Sequence, residues 1–327
     1  MFPTDETSDR GQILVIVGLL IAVMLVALAI VLNAAIFAEN LSTRETADSE
    51  KPSSYAADTG STVASVYNRT NDNDTRKAVY ANTSFNESFE TWADSRSDTA
   101  AENGALFVVD WTTYVGWRLE QDEDRSFTPA NDNSTTEWTV ADGVQNISAF
   151  ELNVNRTKLN DSADTGAFRL NVSNGTTDWE LYVYQDSTNG EVVVSQGDPS
   201  SSSQKCRQVT DRAVIDLRNE TFDGTDCSSA LDFSSAVTGT LEIRYENANV
   251  SGDERVNGTY TLVVNGSDAV ATNTTDHPER FNVSGKTTPT ATAVVYAVRY
   301  DTRYQRKEVV HDVEGWHSPR EEAYQPS

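Results

Sequence analysis

Residues 9–40 read DRGQILVIVGLLIAVMLVALAIVLNAAIFAEN, one long apolar run directly behind an Arg-Gly-Gln step in an otherwise acidic chain. Residues 13–38 hold twenty-six positions without a charge. As a helix they would be ~39 Å long at ~1.5 Å per residue, longer than a hydrocarbon core of ~30 Å. A cleaved secretory signal has an apolar region of only ~7–15 residues before a small-residue cut site, so this run is too long for one. Residues 12–40 are therefore expected to form a transmembrane or assembly helix, and the rest of the chain must decide between the two.

Charges at the flanks orient it weakly. The leader, residues 1–11, carries Asp5, Glu6 and Asp9 against Arg10, and the far flank mixes Glu39, Arg44, Glu45 and Asp48, so an excess of cations marks neither side. Within the run, Gly18, Ala22, Ala29 and Asn33 recur at spacings of four, seven and four and so share one helical face. Small residues let helices approach closely in lipid, and an asparagine can bond across the contact. A filament core, a membrane oligomer and a lone anchor with incidental small residues all fit that pattern.

Outside the run the chain is strongly polar, with fifty Asp and Glu against twenty-five Lys and Arg and a formal charge of -25. Nucleic acid is not an expected partner of such a surface. The charge repels itself in dilute buffer, whereas molar salt shortens the Debye length to ~3 Å. An acidic, Lys-poor composition rich in Asp, Thr, Ser and Asn resembles the proteome of a salt-loving archaeon; an acidic surface protein from an ordinary habitat is the alternative. Cys206 and Cys227 are the only cysteines. Two cannot build a zinc site alone, which leaves a disulfide or two idle thiols. The disulfide is the expectation; it would stabilise the fold by ~3 kcal/mol in the chain-entropy model and requires an oxidising compartment.

A short polar leader ending in Arg10-Gly11, then Gln12-Ile13, then an unbroken apolar helix, resembles the class III signal peptide of archaeal type IV pilins and archaellins, and is similar also to the N-termini of Tad-type pseudopilins. The resemblance covers roughly the first forty residues. It implies that a prepilin peptidase cuts between Gly11 and Gln12 on the cytoplasmic face and leaves the helix attached. Two features depart from the pattern: the leader is acidic, and no glutamate follows a few residues into the helix.

Residues 41–130 read as a linker and helical region. Residues 41–74 are Ser, Thr, Asp and Asn with little apolar periodicity, a solvated linker with one short helix near residues 62–68. Phe85, Phe89 and Trp92 at i, i+4 and i+7 predict an amphipathic helix. Val108, Trp111, Val115 and Leu119 again fit a helical stripe, so a second helix is expected there, although the β-branched and aromatic content also allows a strand. The aromatic group Trp111, Tyr114 and Trp117 is expected in a core.

Residues 131–327 change to period two, the mark of half-buried strands. Phe150, Leu152 and Val154 alternate, as do Phe168, Leu170 and Val172, then Trp179, Leu181 and Val183. Asn189-Gly190 before Val192 and Val194 signals a hairpin. Leu241, Ile243 and Tyr245, then Tyr260, Leu262 and Val264, then residues 291–300 and 308–313 continue the pattern. About eight short strands predict an antiparallel β-sandwich. Between the last two strands lies a basic turn, Arg303 to Lys307. It is read as a solvated turn, with docking to an acidic neighbouring subunit as the alternative.

Seventeen Asn-X-Ser/Thr triplets are spread over the polar region, with Asn68, Asn82, Asn146, Asn171, Asn257 and Asn265 as glycosylation candidates. A chain this rich in Asn, Ser and Thr makes many by accident, but glycosylation needs an extracytoplasmic face. No cofactor or metal motif is legible. His277, His311 and His317, with Asp312 and Glu314, lack the spacing for convergent ligation. Ser202 and Lys205 formally read Ser-X-X-Lys, but in a Pro/Ser-rich loop rather than on the helix that chemistry needs. Asp122-Glu123-Asp124 reads as solvated surface. Catalysis is therefore not expected.

The sequence thus predicts an α+β protein: a cytoplasmic leader, one transmembrane or assembly helix, and a large β-rich domain outside the cell. Its expected partners are the membrane, pilin-like subunits and pilus assembly machinery. The alternative is a single-pass surface binding protein whose helix is a plain anchor.

Overall fold

The computed structural model describes residues 7–72, 78–130, 132, 134–161, 165–250, 253–265, 281, 288–307 and 309–318, with side chains at all of them except 7–16, 30–51, 78 and 79. Two helices lead, α1 (Thr7–Asn71) and α2 (Ala78–Glu102). Next come β1 (Leu106–Ser126), β2 (Glu137–Val144), β3 (Ile147–Asn155), β4 (Phe168–Ser173), β5 (Asp178–Asp186) and β6 (Glu191–Gln196). They are followed by β7 (Lys205–Gln208), β8 (Arg212–Asp216), β9 (Thr221–Phe222), β10 (Thr225–Asp226) and a single helical turn α3 (Ser228–Leu231). The chain continues with β11 (Leu241–Glu246), β12 (Asn249–Val250), β13 (Asp253–Glu254), β14 (Asn257–Asn265), β15 (Thr290–Arg306) and β16 (Val309–His317).

The protein is α+β, and its strand pairings among the described residues are antiparallel. One sheet has eight strands in the order β10-β9-β8-β3-β14-β1-β15-β16, a second has six in the order β2-β11-β4-β5-β6-β7, and β12-β13 form a small ribbon. The expected alternating runs become strands, because each puts every second side chain into one interior. Phe150, Leu152, Tyr260, Leu262 and Leu119 from the first sheet share a core with Leu170, Val172, Leu181, Val183, Ile243 and Tyr245 from the second. At its centre the rings of Phe127, Phe168, Tyr245 and Tyr260 lie 5.2–5.5 Å apart in tilted and edge-on contacts, the spacing aromatic pairs favour. Burial pushes the phenols of Tyr245 and Tyr260 up from their usual value.

The two helices sit beside the six-stranded sheet, on the same face of the eight-stranded one. Long strands make this possible. The odd-numbered side chains of β1 run from Phe107 and Val109, under the helices, to Trp117 and Leu119, in the sandwich core. On β15 the pairing slips by one at Tyr296, between the partners of Tyr114 and Val115. This bulge changes which residues face inward, so that Val298 and Tyr304 on one side of it and Val295, Ala293 and Ala291 on the other all point into a core. Gly116 stands where β14 joins β1. A Cβ there would lie 2.2 Å from the Val264 carbonyl oxygen, so only glycine permits that approach.

Three expectations for residues 41–130 are corrected. Residues 41–71 are not a linker: they continue α1. The stretch 106–126 is a strand, not a helix, since its β-branched and aromatic residues alternate between a buried face and an exposed one. Val108, placed on a helical stripe with Trp111, is instead exposed on the opposite face. Nor do Trp111, Tyr114 and Trp117 cluster. Trp111 meets Phe89 at 4.9 Å, Tyr114 stacks on Trp316 on the outer face at 5.7 Å, and Trp117 enters the sandwich. Because β1 pairs with β14 and β15, a division between residues 130 and 131 does not follow the sheets. The expected helix at Phe85, Phe89 and Trp92 is present as α2, with Phe85 and Phe89 fully buried.

The strand reading makes unequal demands on neighbouring positions. Phe89→Ala removes a ring packed against Phe85, Trp92 and Trp111 and is expected to cost about 3–5 kcal/mol. Val108→Ala on the open face is expected to stay within about 0.5 kcal/mol. Denaturant unfolding of both variants in high salt checks this, and a large loss for Val108→Ala would contradict the strand.

Candidate functional site: the N-terminal helix and its seat

The feature that sets this molecule apart is α1. The described apolar side chains of its outer part, residues 17–29, are exposed around the whole circumference, Leu19 at 65%, Met24 at 72% and Leu28 at 63%. Apart from the helix's own backbone, nothing among the described residues lies within 4 Å of the position a Cβ would take on Gly18. Among the described residues no helix is long and apolar enough to cross a membrane; the described side chains of the apolar run are residues 17–29.

The C-terminal part of the same helix is seated on the sheet. Tyr55, Thr59, Val63 and Tyr67 recur every four residues and so form one stripe. Val63 is fully buried and Tyr67 nearly so. Tyr55 meets Tyr304 at 4.9 Å and Phe107 at 5.1 Å, ring centre to ring centre. Gly60 admits the Tyr300 hydroxyl, which would stand 3.0 Å from a Cβ there, and Gly315 lies beneath the same ring, which a Cβ would strike at 2.3 Å. Arg96 of α2 pairs with Asp58 at 2.7 Å and lies 4.7 Å from the centre of the Tyr55 ring, joining the two helices.

Asn71, the last residue of α1, closes the seat. Its Nδ2 donates to the Val295 carbonyl and its Oδ1 accepts from the Val295 N–H, both at 2.8 Å. These backbone groups border the β15 bulge, just beyond the last β15–β16 pair, Val298 with His317. The asparagine therefore stands in for a missing strand at a sheet edge. Arg118 Nη1 donates in turn to the Asn71 carbonyl at 3.2 Å. The Tyr67 phenol, held next to Tyr296, is pushed well up, first by burial and then by the Tyr296 phenol, with Asn71 and Arg118 opposing. Neither Asn71 nor Tyr300 is singled out by the sequence, although the four-residue spacing from Tyr55 to Tyr67 is a signal for the seat.

Gly11 and Gln12 lie in the first turns of α1. Cys206 and Cys227 are joined, with Cα atoms 6.0 Å apart, tying the edge strand β7 to the start of α3. Beside that clasp the Glu220 carboxyl is pushed up by burial and then by Asp232 and Asp226.

The glycosylation candidates differ sharply in access. Asn68 is exposed on α1. Asn82 Oδ1 accepts from Asn86 Nδ2 at 3.1 Å and from the Thr113 hydroxyl, which commits it to the α2–β1 contact. Asn146 and Asn257 are half-buried. Asn171 lies buried on β4, between Arg244 and Glu180 in register. Asn265 is buried, and its Oδ1 accepts the N–H groups of Gln145 at 3.1 Å and Asn146 at 2.8 Å. A glycan needs the side-chain amide nitrogen in solvent, so the folded protein offers Asn68 and withholds Asn171 and Asn265.

The remaining candidates do not converge on chemistry. His311 and His317 lie on β16, and His277 is outside the described residues. Among the described residues no group of three or more His, Cys, Asp or Glu side chains is placed to hold a metal ion. Ser202 Oγ donates to the Gln196 carbonyl at 2.6 Å, and Lys205 Nζ bonds the Pro199 carbonyl, so the two are not paired with each other. Asp124 is held by both terminal nitrogens of Arg212 at 2.7 Å. A cleft of about 280 Å³ by the β2–β3 turn is lined by Asn146, Arg218 and Phe233, and one of about 390 Å³ by Ser228, Ser229 and Asp232. Neither lining contains a histidine or a lysine.

Since Asn265 satisfies two main-chain donors, Asn265→Ala is expected to cost about 1–3 kcal/mol, whereas Asn68→Ala on the exposed helix face stays within about 0.5 kcal/mol. Denaturant unfolding of the two variants measures the difference, and equal stabilities would contradict the structural role assigned to Asn265. In comparisons with known proteins, no family model, no curated protein and no solved structure matches this chain.

Proposed function

We propose that this chain is a pilin-like cell-surface protein, a minor pilin or pseudopilin that assembles through the apolar half of α1 and carries its head outside the cell. The carrying observation is the division of α1 itself. The part from Tyr55 to Asn71 is locked to β15 by rings and hydrogen bonds, while residues 17–29 are apolar on every side and find no cover among the described residues. Burying one large aliphatic side chain is worth about 1.5–3 kcal/mol, so such a surface favours lipid or other helices over water.

On this reading the leader through Gly11 is cytoplasmic and is removed by a prepilin peptidase before Gln12. The helix first spans the membrane and then packs against the helices of other subunits, handed on by pilus assembly machinery. The head, with Cys206–Cys227 and the sequons, is extracellular. Its work is positioning and presentation, not catalysis. The head is large for a bulk filament subunit, which supports a minor or pseudopilin role.

A plain anchor carrying a surface binding domain is the second reading. It is favoured by the absence of residues 17–29 from the described cores, so the head can fold on any anchor. Replacing residues 13–38 with an unrelated spanning helix separates the two. The proposal expects the variant to reach the membrane with a folded head but to lose co-purification with other copies and with the assembly ATPase and platform. Undiminished co-purification would leave only the anchor.

A further inference from the structure

We propose that the basic turn between β15 and β16 docks onto the acidic outer face of α2 in a neighbouring copy of this chain, an inference that rests on the assembly reading above. Position is the first ground. β15 runs antiparallel to the seated part of α1, with Tyr304 beside Tyr55, Tyr300 beside Gly60 and Tyr296 beside Tyr67. The turn after Arg306 therefore projects from the end of the head at which the apolar half of α1 departs. When helices pack side by side with an offset along their axes, that end of one head abuts the flank of the next.

The second ground is composition. Leu106, Gln305 and Val310 form one cross-strand row, and Val108, Arg303 and Asp312 form another on the same exposed face. Among the described residues, Leu106, Val108 and Val310, with Val309 on the other face of β16, are four of the six large apolar side chains exposed outside α1, the others being Tyr80 and Val209. Arg303, Arg306 and Lys307 add three cations within five residues. Asp312 pairs with Arg303 at 3.8 Å, and Asp301 and Glu314 are held by Arg299 at 3.7 and 2.8 Å. Glu308, also in the turn, is outside the described residues.

Charge selects the occupant. Copies bearing -25 each repel one another, so a head-to-head contact needs local complementarity. Glu87, Glu90, Asp94 and Asp98 follow each other at helical spacing on the exposed face of α2, and among the described residues none is ion-paired. Within one chain the two surfaces cannot meet, because α2 covers the face of β1 and β15 opposite to that of Leu106 and Val310. The contact is therefore heterologous, and a contact between opposite faces propagates into an open filament instead of closing a dimer. Exposed ion pairs are individually weak; here they act on copies already concentrated by their helices. An anionic lipid surface suits the turn less, since residues 39–51, which precede the seat along α1, carry Glu39, Glu45, Asp48 and Glu50 against Arg44 and Lys51.

The test uses the full chain in native membranes, with Val310→Cys and Asp94→Cys combined, mild oxidation and a non-reducing gel. A ladder of linked copies is expected from the double variant and not from either single one. Arg303→Glu with Lys307→Glu should cut the ladder about tenfold, and Glu90→Lys with Asp98→Lys should restore it. Co-purification of tagged with untagged copies is measured on the same samples. Copies that co-purify without a ladder overturn this contact and leave the assembly reading standing; loss of both removes the assembly reading too. Linkage from Val310→Cys alone would mean a symmetric dimer. Protection of that thiol in protein-dilute phosphatidylglycerol vesicles would mean a lipid contact. Either would overturn the proposal.

Discussion

Everything in this fold hangs on the antiparallel ladder between β1 and β15, fifteen residue pairs long. Among the described residues, both of its strands contribute to the interior under the helices and to the interior between the two sheets. Its inward side chains are covered by α1 and α2 over the first stretch and by the six-stranded sheet over the second. The bulge at Tyr296 keeps the two stretches of β15 in phase with their covers. A strand one residue out of step would turn its apolar set to solvent. Asn71 binds the backbone at that point, so the end of α1, the strand irregularity and the junction of the two cores coincide.

This arrangement makes α1 continuous with the head. Tyr55, Val63 and Tyr67 fix its C-terminal part against Phe107, Val295, Val298 and Tyr304, and no linker intervenes between that seat and the apolar half. Pro52 lies inside the helix close to the boundary. It removes one main-chain donor there, and such a position is the natural place for the helix to bend. On the proposed reading, force or displacement applied to the helix in a filament reaches the strands of the head directly. The acidic exterior then has to be accommodated between neighbours, by salt or by local cations.

Much of the sandwich is legible in the sequence because its strands are short, half-buried and strictly alternating, as at Phe150, Leu152 and Val154 or Tyr260, Leu262 and Val264. The stretch 106–126 misleads for a definite reason. Val108, Trp111, Val115 and Leu119 satisfy a helical stripe, while Phe107, Val109, Trp111 and Trp117 satisfy an alternating one, and only the pairing with Tyr300 and Val264 decides. The pairing of Trp111 with Tyr300 joins positions nearly two hundred residues apart, that of Trp117 with Val264 nearly one hundred and fifty, and neither leaves a local trace. The seat of α1 is hidden differently: its stripe of Tyr55, Thr59, Val63 and Tyr67 is sparse and set among Ser, Thr, Asp and Asn. The accessibility of Asn171 and Asn265 depends on strand register and is invisible in a triplet motif.

The central claim is that α1 is an assembly helix delivered by signal processing, and the identity of the first residue tests it most directly. Mass spectrometry of the protein from the membrane and shed-surface fractions of native cells determines that residue. The account predicts a mature N-terminus at Gln12, with the leader through Gly11 removed. A protein beginning at Met1 or Phe2 in both fractions would contradict it and leave a head held at the surface by an ordinary anchor.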